Sequence, residues 1–148
     1  FGSIRSGRFE IWRVSPHGGE PTQVTRNGGH SAFSSPDGKA IFYTRSTYGE
    51  DGLWTKSLPD GEESQIISES IAGRGFVPLA DRIYYLHCEG ATNCSLRSYE
   101  FKERRTRTLT TVEGPLYLGL TVSPDRKDIL LTKVPNDEQD ILVIENFH

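Results

Sequence analysis

Cys88 and Cys94 are the only two cysteines in 148 residues, and they flank the short segment EGATN. Two thiols at that spacing can close a small disulfide across a hairpin or stand reduced at two strand ends. Spacing alone leaves both readings open. A disulfide would imply an oxidising compartment, and so a periplasmic or other extracytoplasmic setting rather than a cytoplasmic one. Adding His87 makes three potential metal ligands where a structural site needs four, so neither a metal nor a cofactor is expected. Glu50 and Asp51 in YGEDGLW lack the alternating oxygen ligands of a calcium loop and read as a solvated acidic turn. The basic run KERRTR, Lys102 to Arg107, could touch a phosphate, but it reads better as an exposed hairpin on a chain of net charge −3. His30 in RNGGHS and Arg74 in SESIAGRG are polar residues in loops. What they could do depends on where those loops lie.

Catalysis finds little support in the residues. There is no G-x-S-x-G elbow, no phosphate-binding glycine loop and no carboxylate pair in an acid–base context. We therefore expect no enzyme activity from this chain. The interspersed charges give no reason to expect nucleic acid. No stretch approaches the ~20 apolar residues of a membrane span. The chain opens on Phe1 with sequence that already reads as folded, so a piece of a longer protein is expected.

The elements that must position these residues emerge from an internal repeat. SSPDGKAIFYTR, Ser34 to Arg45, returns as VSPDRKDILLTK, Val122 to Lys133. The two copies lie two periods of about 44 residues apart, and FVPLADRIYYL, Phe76 to Leu86, is the decayed copy between them. Flanking positions repeat too. Ile11-Trp12 matches Leu53-Trp54, Gly18-Gly19 matches Asp60-Gly61, and Gln23-Val24-Thr25 matches Gln65-Ile66-Ile67. Leu96 and RTRTLT fill those places in the third unit, and Ile141-Leu142 in the fourth.

Each unit has a physical reading. Ser35, Pro36, Asp37 and Gly38 form a hairpin turn. Proline presets φ, aspartate bonds its own turn, and glycine supplies a positive φ. Ser123, Pro124 and Asp125 repeat the turn, but Arg126 replaces the glycine. If the geometry is kept, Arg126 is left-handed at a cost of roughly 1 kcal/mol. AIFYT, RIYYL and DILLT are consecutive apolar runs, which suggests strands covered on both faces. A third strand and a short outer strand follow, joined by Gly-Gly or Asp-Gly turns. Recurrence of Trp12 and Trp54 at one repeat position points to packing between units rather than to a ligand platform. Four short antiparallel strands per roughly 44 residues is the arithmetic of a β-propeller blade.

On these residues, the segment Pro21 to Thr44, PTQVTRNGGHSAFSSPDGKAIFYT, resembles the TolB-type propeller repeat, a relative of WD-repeat blades. The likeness extends over nearly the whole chain. It is strongest in the second unit and weakest in the third. The expected fold is all-β, a partial β-propeller with two full and two partial blades, in units of about 1–29, 30–70, 71–114 and 115–148. The first unit lacks its inner strand and the last its outer strand. Propellers close with four to eight blades, so the chain is expected to be the C-terminal arc of a larger bacterial propeller. The resemblance implies a non-catalytic scaffold for a protein or peptide. It offers two alternatives, the sensor domain of a CadC-type winged-helix regulator and the gating propeller of a prolyl-oligopeptidase- or tricorn-type peptidase. In such a propeller the loops leading into the inner strands border the central channel, which makes His30 and Arg74 the channel-side binding candidates. Exposed flat faces on the end blades would invite homodimerisation.

Overall fold

The computed structural model describes residues 1–72, 74–90, 92–113, 116–133 and 140–145. Fourteen strands lie in these residues, and no helix does. They form four antiparallel sheets in chain order. The first holds β1 (Gly2–Ser3), β2 (Glu10–Arg13) and β3 (Thr22–Gln23). The second runs β4 (Ala32–Ser34), β5 (Ala40–Tyr43), β6 (Leu53–Ser57) and β7 (Glu63–Ile67). The third is β8 (Phe76–Pro78), β9 (Arg82–Glu89), β10 (Asn93–Glu100) and β11 (Arg105–Glu113). The fourth is β12 (Leu116–Val122), β13 (Asp128–Lys133) and β14 (Asp140–Glu145). Two complete four-stranded blades thus stand between two of three strands. Positions 114 and 115, where the third and fourth sequence units meet, lie outside the described residues, as does residue 73 in the loop that carries Arg74.

Alternation along each second strand divides its side chains between two neighbours. Ile41 and Tyr43 of β5 join Ile11 and Val24 of the first blade in one cluster, with Trp54 packed against it. Phe42 lies between them in sequence and joins Leu53, Ile67, Phe76, Ile83 and Tyr85 on the other side. In β9, Ile83 and Tyr85 face back to the second blade, while Tyr84 and Leu86 face forward to Ile129 and Leu131 of β13. The core is therefore a series of seams between blades, and each seam is built by two consecutive repeats. This is why the runs are continuously apolar. The fourth blade departs from that pattern. Leu130 of β13 is 38% exposed, on the face of the fourth blade that points away from the third. Trp12 departs as well. It is half-buried under the Arg5 guanidinium, 5.1 Å from the ring centroid, and is not part of the seam that holds Trp54.

The turn between inner and second strands closes through local bonds. The Ser35 hydroxyl donates to Asp37 Oδ1 at 2.6 Å and accepts from the Ala40 amide at 2.9 Å. Gly38 takes φ +70°. In the fourth blade, Ser123 donates to Asp125 at 2.7 Å and accepts from the Asp128 amide at 3.0 Å. There Arg126 adopts φ +61°. The serine hydroxyls hold the Asp37 and Asp125 carboxyls below their ordinary range.

Candidate functional site

In the second and third blades the inner strand starts, and the second strand ends, at one end of the sheet. The Ser-Pro-Asp turns lie at the other end. This follows from the antiparallel pairing, since β4 begins two residues after His30 and ends at Ser34, just before the turn. At the first end the structure brings His30 and Arg74 together. Both line a cavity of about 380 Å³, with Gly2, Ser31 and Phe33. His30 stands against the Phe9 ring, centroids 5.1 Å apart, and its Nδ1 lies 3.3 Å from the Ser31 hydroxyl. The Arg74 side chain is exposed, and it forms no ion pair or side-chain hydrogen bond among the described residues. An unpaired guanidinium beside an imidazole and two aromatic rings suits an anionic group carried on a partly apolar ligand.

Two polar networks brace the blades, and the residues that form them did not stand out in the sequence. In the second blade, Glu63 of β7 accepts from the Arg26 amide at 2.9 Å, from Asn27 Nδ2 at 3.3 Å and from Arg45 at 2.9 Å. Arg45 in turn lies flat on Trp54, 3.2 Å from the ring centroid. Burial opposes ionisation of Glu63, but these donors win and hold its carboxyl below the usual value of 4.5. In the third blade, Glu69 accepts from the Tyr85 hydroxyl and from Arg97, and Tyr85 also meets Thr106 at 3.1 Å. Tyr43 and Tyr85 occupy the same position of the repeated strand. Burial first, and then the adjacent glutamate, pushes both phenols up. The shared tyrosine was the available signal. The acids were hidden because one comes from an outer strand and the other from the linker after it.

Cys88 and Cys94 face each other across β9 and β10, Cα atoms 4.0 Å apart, and are joined as a disulfide. Both sulfurs are therefore committed to each other and not to a metal. No group of three or more metal-ligating side chains occurs among the described residues. His87, one residue earlier, places Nδ1 2.9 Å from the Ser70 carbonyl and 3.3 Å from the Ser70 hydroxyl. A carbonyl only accepts, so Nδ1 carries the proton and cannot serve as a base toward that hydroxyl. Arg105 and Arg107 of the basic run are exposed on β11 and pair with Glu103. Glu50 and Asp51 are exposed in their turn, where Asp51 offers its carbonyl to Trp54 and Gln65.

Comparison with known proteins agrees with this architecture. No protein-family model matches the sequence, and no curated protein matches it. Solved structures do. TolB from Acinetobacter baumannii superposes with a TM-score of 0.76 at 17% identity, over 98% of this chain and 37% of its own. A chain of the nidogen/laminin complex matches with 0.67 at 20% identity, over 94% of this chain and 57% of its own. An oligogalacturonate lyase in complex with manganese matches with 0.70 at 14% identity, over 93% and 39%. This chain thus spans well under two thirds of each. By fold, the chain is an arc of a TolB-like β-propeller.

Proposed function

We propose that this arc is a non-catalytic binding module that takes a protein or peptide partner at the end of the blades where His30 and Arg74 meet. The observation that carries the reading is the cavity of about 380 Å³ that these two residues line, with the Arg74 guanidinium at its edge and unpaired among the described residues. A carboxylate on an extended peptide is the group that edge would hold. The occurrence of the fold in a complex of nidogen with laminin supports protein binding as a use for such a surface. The Cys88–Cys94 bridge supports an oxidising, extracytoplasmic setting. The outward faces of the two end blades favour pairing with a second copy when the arc is alone in solution.

The reading is tested by selecting peptides from a random library on the immobilised chain. Acidic peptides should be enriched, and Arg74→Glu should weaken them by about tenfold or more. His30→Ala should weaken them less. A selection without acidic bias, or peptides that bind a His30→Ala/Arg74→Glu chain as well as the wild type, would overturn it.

A further inference from the structure

The seams between blades differ at the end that carries the turns. Between the third and fourth blades, Arg126 of one turn reaches back to Asp81 of the preceding turn at 2.9 Å. Between the second and third blades, the same two repeat positions hold Ala80 and Lys39. Alanine is too short to span the gap, and lysine has the wrong charge to receive an arginine. Lys39 accordingly forms no ion pair within bonding distance among the described residues.

A cavity of about 500 Å³ opens where the missing bridge would run. Phe42, Phe101, Leu79 and Ala80 line its apolar part, and Asp37 and Lys39 stand at its rim. The aromatic wall is fixed. Phe101 stacks on Phe42 with centroids 5.7 Å apart and planes 15° apart, and Tyr99 meets Phe101 edge-on at 6.1 Å. Asp37 gives only Oδ1 to its own turn, to the Ser35 hydroxyl and the Lys39 amide. Its Oδ2 stays available, and the bonded turn keeps the carboxylate ionised. The volume is that of a small-molecule site, with an apolar floor and a few polar groups at the mouth.

We propose that this inter-blade cavity binds a free aromatic α-amino acid, with its ring against Phe42 and Phe101, its ammonium at Asp37 Oδ2 and its carboxylate at Lys39 Nζ. One charge of each sign beside an aromatic wall matches a zwitterion better than either a simple amine or a simple acid. The site lies at the opposite end of the strands from His30 and Arg74, so the two readings stand or fall separately.

Titration of the chain with L-phenylalanine, 2-phenylethylamine, 3-phenylpropionate and glycine, followed by amide chemical shifts, tests the proposal. Phenylalanine should saturate with a Kd on the order of 1 mM, shifting Lys39 and Ala80. The two singly charged compounds should bind about threefold more weakly, and glycine should not bind. Lys39→Gln should weaken phenylalanine and 3-phenylpropionate by about threefold and leave 2-phenylethylamine unchanged. Ala80→Arg, at an exposed turn position, should fill the cavity and abolish binding of all three aromatic compounds. No saturable shift with phenylalanine would overturn the proposal. Equal binding of the three aromatic compounds with no response to Lys39→Gln would overturn it too. Should Ala80→Arg fail to fold, the Lys39→Gln result alone decides.

Discussion

Single residues in this fold are constrained chiefly by where the backbone must pass. Gly52, in the turn before β6, takes φ +72°, and a Cβ there would meet the Ile67 carbonyl oxygen at 2.1 Å. That oxygen belongs to the neighbouring strand of the same blade, so it has little freedom to retreat. Gly52→Ala should therefore lower stability by about 2–3 kcal/mol, through strain in the left-handed region and displacement of β7. Thermal or chemical denaturation measures this directly. A loss below about 0.5 kcal/mol would mean the turn adapts. Gly38 provides the contrast, since an added Cβ there meets nothing within 4 Å and only the backbone preference remains. The fourth blade tolerates Arg126 at that position for the same reason, and Arg126 finds Asp81 in return.

Elements are tied together by carboxylates that reach between strands and linkers. Glu63 lets β7 hold the Arg26–Asn27 linker and the end of β5 through one side chain. Glu10 does the same in the first blade. It is buried at 1% exposure and accepts from Thr25 Oγ1 at 2.6 Å and from the Gly28 amide at 3.2 Å. The pH consequence can be stated for Glu63. Its folded value lies below its ordinary 4.5, so its contribution is fully present above that value and is lost as pH falls through the folded value. Glu63→Gln should cost about 1–3 kcal/mol at neutral pH, because its donors stay partly buried. It should also flatten the decline in stability as pH falls below the ordinary 4.5. Denaturant midpoints of wild type and variant across that range check both points. A parallel decline in the two proteins would mean that other acids carry the acid sensitivity.

At the scale of the whole molecule, the arc has two ends that its own seams do not cover. On the fourth blade, Leu130, Ile141 and Val143 are 38%, 74% and 49% exposed. Register places Leu130 opposite Val143, and Thr132 opposite Ile141, so these side chains share one face. On the first blade, Phe1, Ile4, Phe9 and Val14 are exposed. Apolar faces of this kind on a four-sheet arc should associate in solution. Molar mass by light scattering should rise with concentration toward a dimer, and Ile141→Lys with Val143→Lys should return it to the monomer. A wild-type chain that stays monomeric at every concentration would show that these faces tolerate water. The chain's 37% share of the TolB structure, with nearly all of this chain matched, agrees with an arc rather than a closed ring.

Local chemistry carried most of the architecture. The Ser-Pro-Asp turns and the apolar runs of AIFYT and RIYYL could be read in sequence, because their bonds and faces are set by near neighbours and by a two-residue alternation that recurs in each unit. The recurrence pointed to propeller blades, and the resemblance of Pro21 to Thr44 to the TolB-type repeat pointed to the TolB-like fold that the structure has. Contacts between units could not be read this way. Glu63 meeting Arg26, Glu69 meeting Arg97, and His30 sharing a cavity with Arg74 join residues that are distant in sequence and come into contact only when blades stack. The cavity at Phe42 and Phe101 is of the same kind. The sequence by itself determined a repeated antiparallel blade, because each hairpin closes within its own segment. Which side chains meet at the seams, and the spaces left there, were decided only by the packing of one blade on the next.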